Sequence, residues 1–309
     1  MKKILLGILI VVVLVFAGSY FFIPEKLKIS GATAYQGNGE GIFRFLNIDS
    51  NWKKWWPGEI SKNVFSYSGY DYNIEMVRYL SFELNVAQNK DSYKSLLKVI
   101  KLKTDSVGIE IGTELNTGHD PISRIANYFK AKKIKNNFDD VLASLKEHTN
   151  NVKDIYQFDI RNEKVEMQYL LSTSKLFPHY PTTEDVYSLV NIVRAHISTT
   201  GGKEEFSPML NIETSDSVNY FVRIGVPVNK KTPESKDISL KQMVKDGNIL
   251  VTEVKGDTKT INAAVKQVEQ YIHDYQRSII AIPFQSLVTD RSKEPDSTKW
   301  VTRIYYPVV

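Results

Sequence analysis

The sequence predicts an α+β chain with three parts: an apolar N-terminal helix, a strand-rich domain closed by a long helix, and a domain made of a duplicated strand-helix-strand-strand unit. Three observations predict it. Residues 4–23, beginning at Ile4 and ending at Ile23, carry no charge. Runs between residues 64 and 115 alternate apolar with polar side chains, and a helical stripe follows. The second half of the chain repeats itself. The chain has 309 residues, more than one core usually organises, so two folded domains are expected behind the apolar segment. Hydrophobic residues at 42% with charged residues at 24% fit globular domains and argue against disorder.

Lys2 and Lys3 open the chain, and the uncharged run follows. Twenty helical residues rise about 30 Å, the thickness of a bilayer's hydrocarbon core. The reading is a transmembrane anchor over residues 1–23, with a cytoplasmic N-terminus and both domains on the periplasmic side of a bacterial-type envelope. Lys26 and Lys28 weaken that orientation. The alternative is a cleaved signal peptide, with Val15-Phe16-Ala17 as the cleavage site. Continuation of the apolar run through Tyr20-Phe21-Phe22-Ile23 speaks for the anchor. The chain contains no cysteine, which excludes disulfides, thiolate metal sites and cysteine nucleophiles. A net charge of +5 and a pI of 9.0 are spread over a mixed surface. That pattern fits solvated faces and no nucleic-acid partner.

The first domain is expected over residues 24–152. A strand at 27–35 leads through a glycine-rich turn at 36–41 into a short helix carrying Ile42, Phe43, Phe45 and Leu46. Trp52, Trp55 and Trp56 then concentrate a large apolar area in five residues. Four strands follow. In the second, Leu80, Phe82, Leu84 and Val86 share a face; in the fourth, Val107, Ile109, Ile111 and Leu115 do. Asp120 is the N-cap and Pro121 the first residue of a long helix. Its stripe of Ile122, Ile125, Phe129, Ile134, Phe138, Val141, Leu142 and Leu145 would lie on the sheet, and Lys130, Lys132, Lys133 and Lys135 would face solvent or lipid headgroups.

The second domain is expected over residues 153–309, with repeats at about 155–230 and 245–309. Phe221-Val222-Arg223-Ile224-Gly225-Val226-Pro227-Val228 parallels Val301-Thr302-Arg303-Ile304-Tyr305-Tyr306-Pro307-Val308. Upstream, Ser207-Pro208-Met209-Leu210 parallels Ile282-Pro283-Phe284-Gln285. Each copy has a strand, at 165–172 or 249–255, and then a helix, at 183–198 or 258–276. A linker rich in Lys, Pro and Ser joins them at 229–237. The expectation is a pseudo-symmetric pair of small helix-backed sheets with a ligand groove at their seam.

Both halves resemble known families. Residues 27 to about 150 resemble the SRPBCC, or START-like, superfamily, through the strand order, the Trp52-x-x-Trp55-Trp56-Pro57 segment and the closing helix that starts Asp120-Pro121-Ile122. The resemblance implies a helix-grip fold around an apolar cavity. Residues from about 155 to 309 resemble the GyrI-like effector-binding domain found with AraC-type regulators. The matching residues are Val251-Thr252-Glu253-Val254-Lys255-Gly256, Ile282-Pro283-Phe284 and the final strand from Trp300 to Val308. That resemblance implies a central groove for drug-like or amphipathic ligands. Many members carry an acid in the last strand that faces a cationic ligand; here the position is Arg303, with Arg223 as its repeat partner.

Alternation puts Trp300, Thr302, Ile304 and Tyr306 on one face of the last strand, and Arg303 and Tyr305 on the other. With Ile304 toward the helices, the candidate ligand-binding residues are Arg303, Tyr305, Arg223, Glu253 and Trp300. Arginine there favours carboxylate, sulfate or phosphate groups. The catalytic constellations are missing. His119, His148, His179, His196 and His273 show no metal-ligand spacing, so neither a metal nor a cofactor is expected. The reading leans away from an enzyme, toward a membrane-anchored protein that binds small apolar or amphipathic molecules for sensing, sequestration or transfer. One alternative is a hydrolase or cyclase using Glu253 with Tyr305 or Trp300. A second is a protein-interaction scaffold.

Overall fold

The computed structural model describes residues 2–214 and 218–309; Met1 of the basic start lies outside them, as do the side chains of Lys2 and Leu5. The chain forms two compact units, Met1–Asn151 and Val152–Val309.

The first unit runs α1 (Lys2–Phe22), β1 (Lys26–Gln36), α2 (Gly39–Leu46), α3 (Asp49–Trp55), β2 (Glu59–Ser61), β3 (Val64–Tyr67), β4 (Tyr70–Arg78), β5 (Ser81–Gln88), β6 (Asp91–Lys103), β7 (Ser106–Asn116) and α4 (Pro121–Thr149). Its strands form one antiparallel sheet in the order β1-β7-β6-β5-β4-β3-β2. Short hairpins set this order. Ser68 and Gly69 both sit at positive φ, 49° and 80°, and turn β3 into β4 in two residues. As expected, the Asp120 carboxylate accepts from the Ser123 backbone N–H at 2.8 Å, and Pro121 opens α4. Ile134, Phe138, Val141, Leu142 and Leu145 are buried on the face α4 turns to the sheet. The helix approaches β1 so closely that a Cβ on Gly31 would come within 2.9 Å of the Phe138 Cβ.

The resemblance implied an apolar hollow in this domain. Instead the core of the unit is filled with aromatic side chains. Trp52, Tyr72, Phe82 and Phe138 are each under 2% exposed. Trp52 packs at a tilt, 5.0 Å between ring centres, on both Trp55 and Phe65, and Trp56 packs edge-on against Tyr72 at 5.0 Å. Polar handles are tied down at the same time. Trp52 Nε1 donates to the Leu46 carbonyl at 2.7 Å, Tyr72 Oη donates to Asn137 Oδ1, and Tyr35 Oη bonds Thr149 Oγ1. The cavity that opens on the outer sheet face is lined by Lys28, Glu83, Lys94, Lys98, Glu110 and Glu114, a charged surface unsuited to an apolar body.

Among the described residues no helix is long and apolar enough to cross a membrane. The expected anchor over residues 4–23 is therefore withdrawn, and with it the membrane partner and the placement of both domains on the periplasmic side. Helix α1 does form, over Lys2–Phe22. Its C-terminal half is held against α4. Tyr20 Oη donates to the His119 carbonyl at 2.9 Å, and the Arg124 guanidinium lies 4.6 Å over the Tyr20 ring. Val15 and Phe22 share an apolar cleft with Ile125 and Phe129. Toward its N-terminus α1 leaves Ile8, Leu9 and Val11 exposed.

The second unit runs α5 (Val152–Tyr156), β8 (Arg161–Lys164), β9 (Tyr169–Phe177), α6 (Thr183–Thr199), β10 (Met209–Thr214), β11 (Tyr220–Val228), β12 (Ser239–Gln242), β13 (Asn248–Lys255), α7 (Thr258–Asp274), β14 (Phe284–Leu287) and β15 (Val301–Pro307). The duplicated units are β9-α6-β10-β11 and β13-α7-β14-β15. Both helices begin at side-chain caps: Thr182 and Asp185 form a reciprocal capping box on α6, and Asp257 caps α7. Both pack on one face of the sheet. Val190 and Val193 of α6 meet Leu171, Val222 and Ile224. Ala264 and Val268 of α7 meet Leu250, Val254 and Ile304. The repeats do not form a pair of separate sheets. β10 bonds to β14, joining them into one antiparallel sheet in the order β12-β9-β11-β10-β14-β15-β13-β8. Ile304 lies on the helix side as alternation predicts, so the opposite face of the sheet carries no helix.

Two outcomes follow for the first unit. Phe82→Ala should lower stability by about 3–5 kcal/mol in a denaturant titration, since a full aromatic ring leaves a closed core. Burial pushes Tyr35 up to about 12 from an ordinary value of 10.0. A raised tyrosine favours the neutral folded form, so its contribution is complete below pH 10 and is lost as pH climbs through 12. Ultraviolet titration should show buried tyrosines ionising late, together with unfolding, and Tyr35→Phe should reduce that alkaline loss.

Candidate ligand-binding groove

The helix-free face of the second sheet is where the two repeats part company. The pairings Met209 with Gly225 and Phe284 with Tyr305 put these four residues at equivalent points of the two copies. In the second copy the point is filled: the Phe284 and Tyr305 rings stack at 4.9 Å, 18° apart. With Ile249, Val251, Val165 and Met167 they form a closed apolar layer. In the first copy glycine stands where tyrosine stands in the second, so no ring covers the sheet. A cavity of about 840 Å³ opens there, within the size range of small-molecule sites.

Its floor comes from Leu170 and Ser172 of β9, Met209 and Asn211 of β10, Arg223 and Gly225 of β11, and Phe284 of β14. Leu170 leans over Gly225, and its Cδ1 would lie 2.7 Å from any Cβ placed there. One wall is the segment read from sequence as a plain linker. Residues 234–239 line the cavity, and β12 continues them as an edge strand paired to β9. Three contacts hold this wall: Ile238 is buried among the α6 core, Thr173 Oγ1 donates to the Asp237 carbonyl at 2.8 Å, and Ser235 bridges to Ile238. Ala281 and Ile282 form the rim beside Phe284.

The five residues singled out from sequence divide among three places. Arg223 lines the groove. Its Nη1 donates to Asn211 Oδ1 at 2.7 Å and to Glu213 Oε2 at 2.6 Å, and its guanidinium lies 4.5 Å from the Phe221 ring centre. Tyr305 sits behind Phe284 in the filled half, where burial raises its pKa. Arg303 and Glu253 face each other across β15 and β13, and Arg303 Nε donates to Glu253 Oε2 at 2.8 Å. That carboxylate holds the guanidinium above its ordinary pKa. Neither residue lines the groove. Trp300 is on the helix side, as alternation predicts. Its Nε1 donates to the Glu294 carbonyl at 2.9 Å, and the Arg291 guanidinium lies 4.7 Å over its ring.

Of the residues in the hydrolase alternative, Glu253 is engaged by Arg303, Tyr305 shares that face of the sheet, and Trp300 lies on the other face. Among the described residues no group of His, Asp and Glu could hold a metal ion. Sequence reasoning missed Met209, Asn211, Gly225 and the 234–239 wall. The signal for Gly225 was present in the repeat alignment, where it stands opposite Tyr305.

No family model matches the chain, and no curated protein matches it by sequence. Solved structures do resemble it. The C-terminal domain of EcmrR is 15% identical and matches 49% of this chain and 98% of its own length, with a TM-score of 0.42. An uncharacterized conserved protein from Listeria innocua is 12% identical over 48% of this chain and 92% of its own, with a TM-score of 0.38. The di-domain ARO/CYC BexL is 9% identical over 92% of this chain and 85% of its own, with a TM-score of 0.34. These are loose likenesses of fold.

The Arg303–Glu253 pair is half-exposed on both sides, and exposed pairs of this kind contribute little. A double-mutant cycle with Arg303→Ala and Glu253→Ala should give a coupling energy below about 1 kcal/mol, with no effect on any ligand seated over Gly225.

Proposed function

We propose that this protein binds one small apolar or amphipathic molecule per chain, in the groove of the second unit, and uses it for sensing, sequestration or transfer. One observation carries the reading. The two copies share strands and helices, yet a cavity opens on the first copy's half of the sheet, where Gly225, with Leu170 leaning over it, stands in place of the ring that Tyr305 supplies in the second. Apolar side chains at Leu170, Met209 and Phe284 offer the contact area, and polar side chains surround them, with Ser172, Asn211 and Arg223 on the floor and the 234–237 segment in the wall. The first unit, with its aromatic core, acts in this reading as a folded companion without a ligand of its own.

The uncharged dye N-phenyl-1-naphthylamine tests this. Fluorescence titration of the full chain should saturate at one dye per chain. Gly225→Tyr made together with Leu170→Ala, which removes the side chain that a Cβ at 225 would strike, supplies the missing ring, and Ser172→Phe fills the groove from β9. Each should weaken binding by roughly ten-fold or more, a loss of about 1.4 kcal/mol, with circular dichroism unchanged. Saturable binding that both variants leave intact would place the dye elsewhere and end the reading.

A further inference from the structure

The residues that line the groove from β9, β10, β11 and β14 include one charged side chain, Arg223, and no carboxylate. The remaining charges belong to the wall: Glu234, Lys236 and Asp237, with Lys241 on β12. Glu234 Oε1 is occupied by the Leu240 backbone N–H at 2.7 Å. Glu213, which shares Nη1 of Arg223 with Asn211, is the more exposed partner of that ion pair, with 60% of its side chain in solvent. Its charge is therefore screened.

Arg223 and Arg303 occupy the same point in their repeats, but their neighbours differ. Arg303 lies opposite Glu253, and its Nε is taken up by that carboxylate. Arg223 lies opposite Ser174. Its Nε and Nη2 therefore have no partner among the described residues, while Nη1 and the Phe221 ring hold the guanidinium in place. Nε and Nη2 form one edge of the guanidinium, the edge that grips a carboxylate with two parallel bonds. This chain makes that grip elsewhere: Arg194 Nε and Nη2 each donate to Glu204 at 2.8 Å.

Resting on the reading of the groove as a ligand site, we propose that it selects amphipathic molecules carrying a carboxylate, sulfonate or phosphate group. The anionic group seats on the free edge of Arg223, and the apolar body lies against Leu170, Met209 and Phe284. Arg223 is thus the residue that sets specificity. Its repeat partner Arg303, equal in sequence, is excluded from the role by Glu253.

Two dyes with one body test this on the full chain. 8-Anilinonaphthalene-1-sulfonate has the ring system of N-phenyl-1-naphthylamine plus a sulfonate. The sulfonate should improve affinity by roughly ten-fold, the scale of one charge-assisted hydrogen-bonded contact. Arg223→Gln should erase the difference between the two dyes. Ser174→Glu, which installs the carboxylate that the second repeat has, should erase it as well. Signal that survives Ser172→Phe reports dye bound elsewhere and is subtracted. If both dyes bind the groove equally, or if neither Arg223→Gln nor Ser174→Glu reduces the sulfonate's advantage, anion selection is wrong and the groove reading stands. If neither dye binds in the groove, the groove reading falls and the selection with it.

Discussion

Two backbone pairings at the centre of the second sheet, Met209 with Ser286 and Leu210 with Gln285, join the repeats into one surface. Everything argued about the groove depends on that joint. Short as it is, it places β11 and β15 on either side of a shared pair of inner strands, so equivalent residues of the two copies face the same side. With the helices packed on the other side, the free face becomes a continuous floor, and a substitution in one copy changes half of it. An antiparallel sheet tolerates an uncovered face when that face carries polar or partner-facing residues. Here the second copy covers its own half with stacked rings, and the first does not.

The asymmetry is chemical as well as steric. Two of the floor positions that differ between the copies set their chemistry apart: glycine against tyrosine at 225 and 305, and serine against glutamate at 174 and 253. The first opens space. The second leaves a guanidinium edge without a carboxylate. Both changes fall in the same half, so the half with room is also the half with free hydrogen-bond donors. A cavity with only the first change would attract apolar bodies without orienting them. A surface with only the second would hold a small anion without burying anything.

The first unit shows how the same general architecture can be used up by its own side chains. Its sheet and long helix enclose a layer, and the tryptophans between α2 and β2 fill it. A ring cluster such as Trp52, Trp55, Trp56, Phe65 and Phe82 buries large areas and packs at favourable tilts. Opening such a layer for a guest would cost the contacts that make the unit stable.

By itself the sequence determined the succession of the main strands and helices, though not β2, α5, β8 or β12 and with β9 read at 165–172 instead of 169–177, the Asp120-Pro121 start of α4, and the division of β15 into a helix-facing and an open side. These are local matters: a period of two or 3.6, a cap, a side chain's parity along a strand. It also held the Gly225 and Tyr305 correspondence, although the importance of that pair depends on what covers each half of the sheet. Tertiary structure alone decided the rest. Whether Arg303 or Arg223 is free depends on which residue lies opposite across a strand pair, and no distance along the chain encodes that. The 234–239 segment reads as a linker because its residues are polar, yet edge pairing with β9 turns it into a wall. The expected hollow beneath α4 was lost for the same reason: filling is settled by the volumes of side chains brought together from distant positions, and an alternating pattern records only that they point inward.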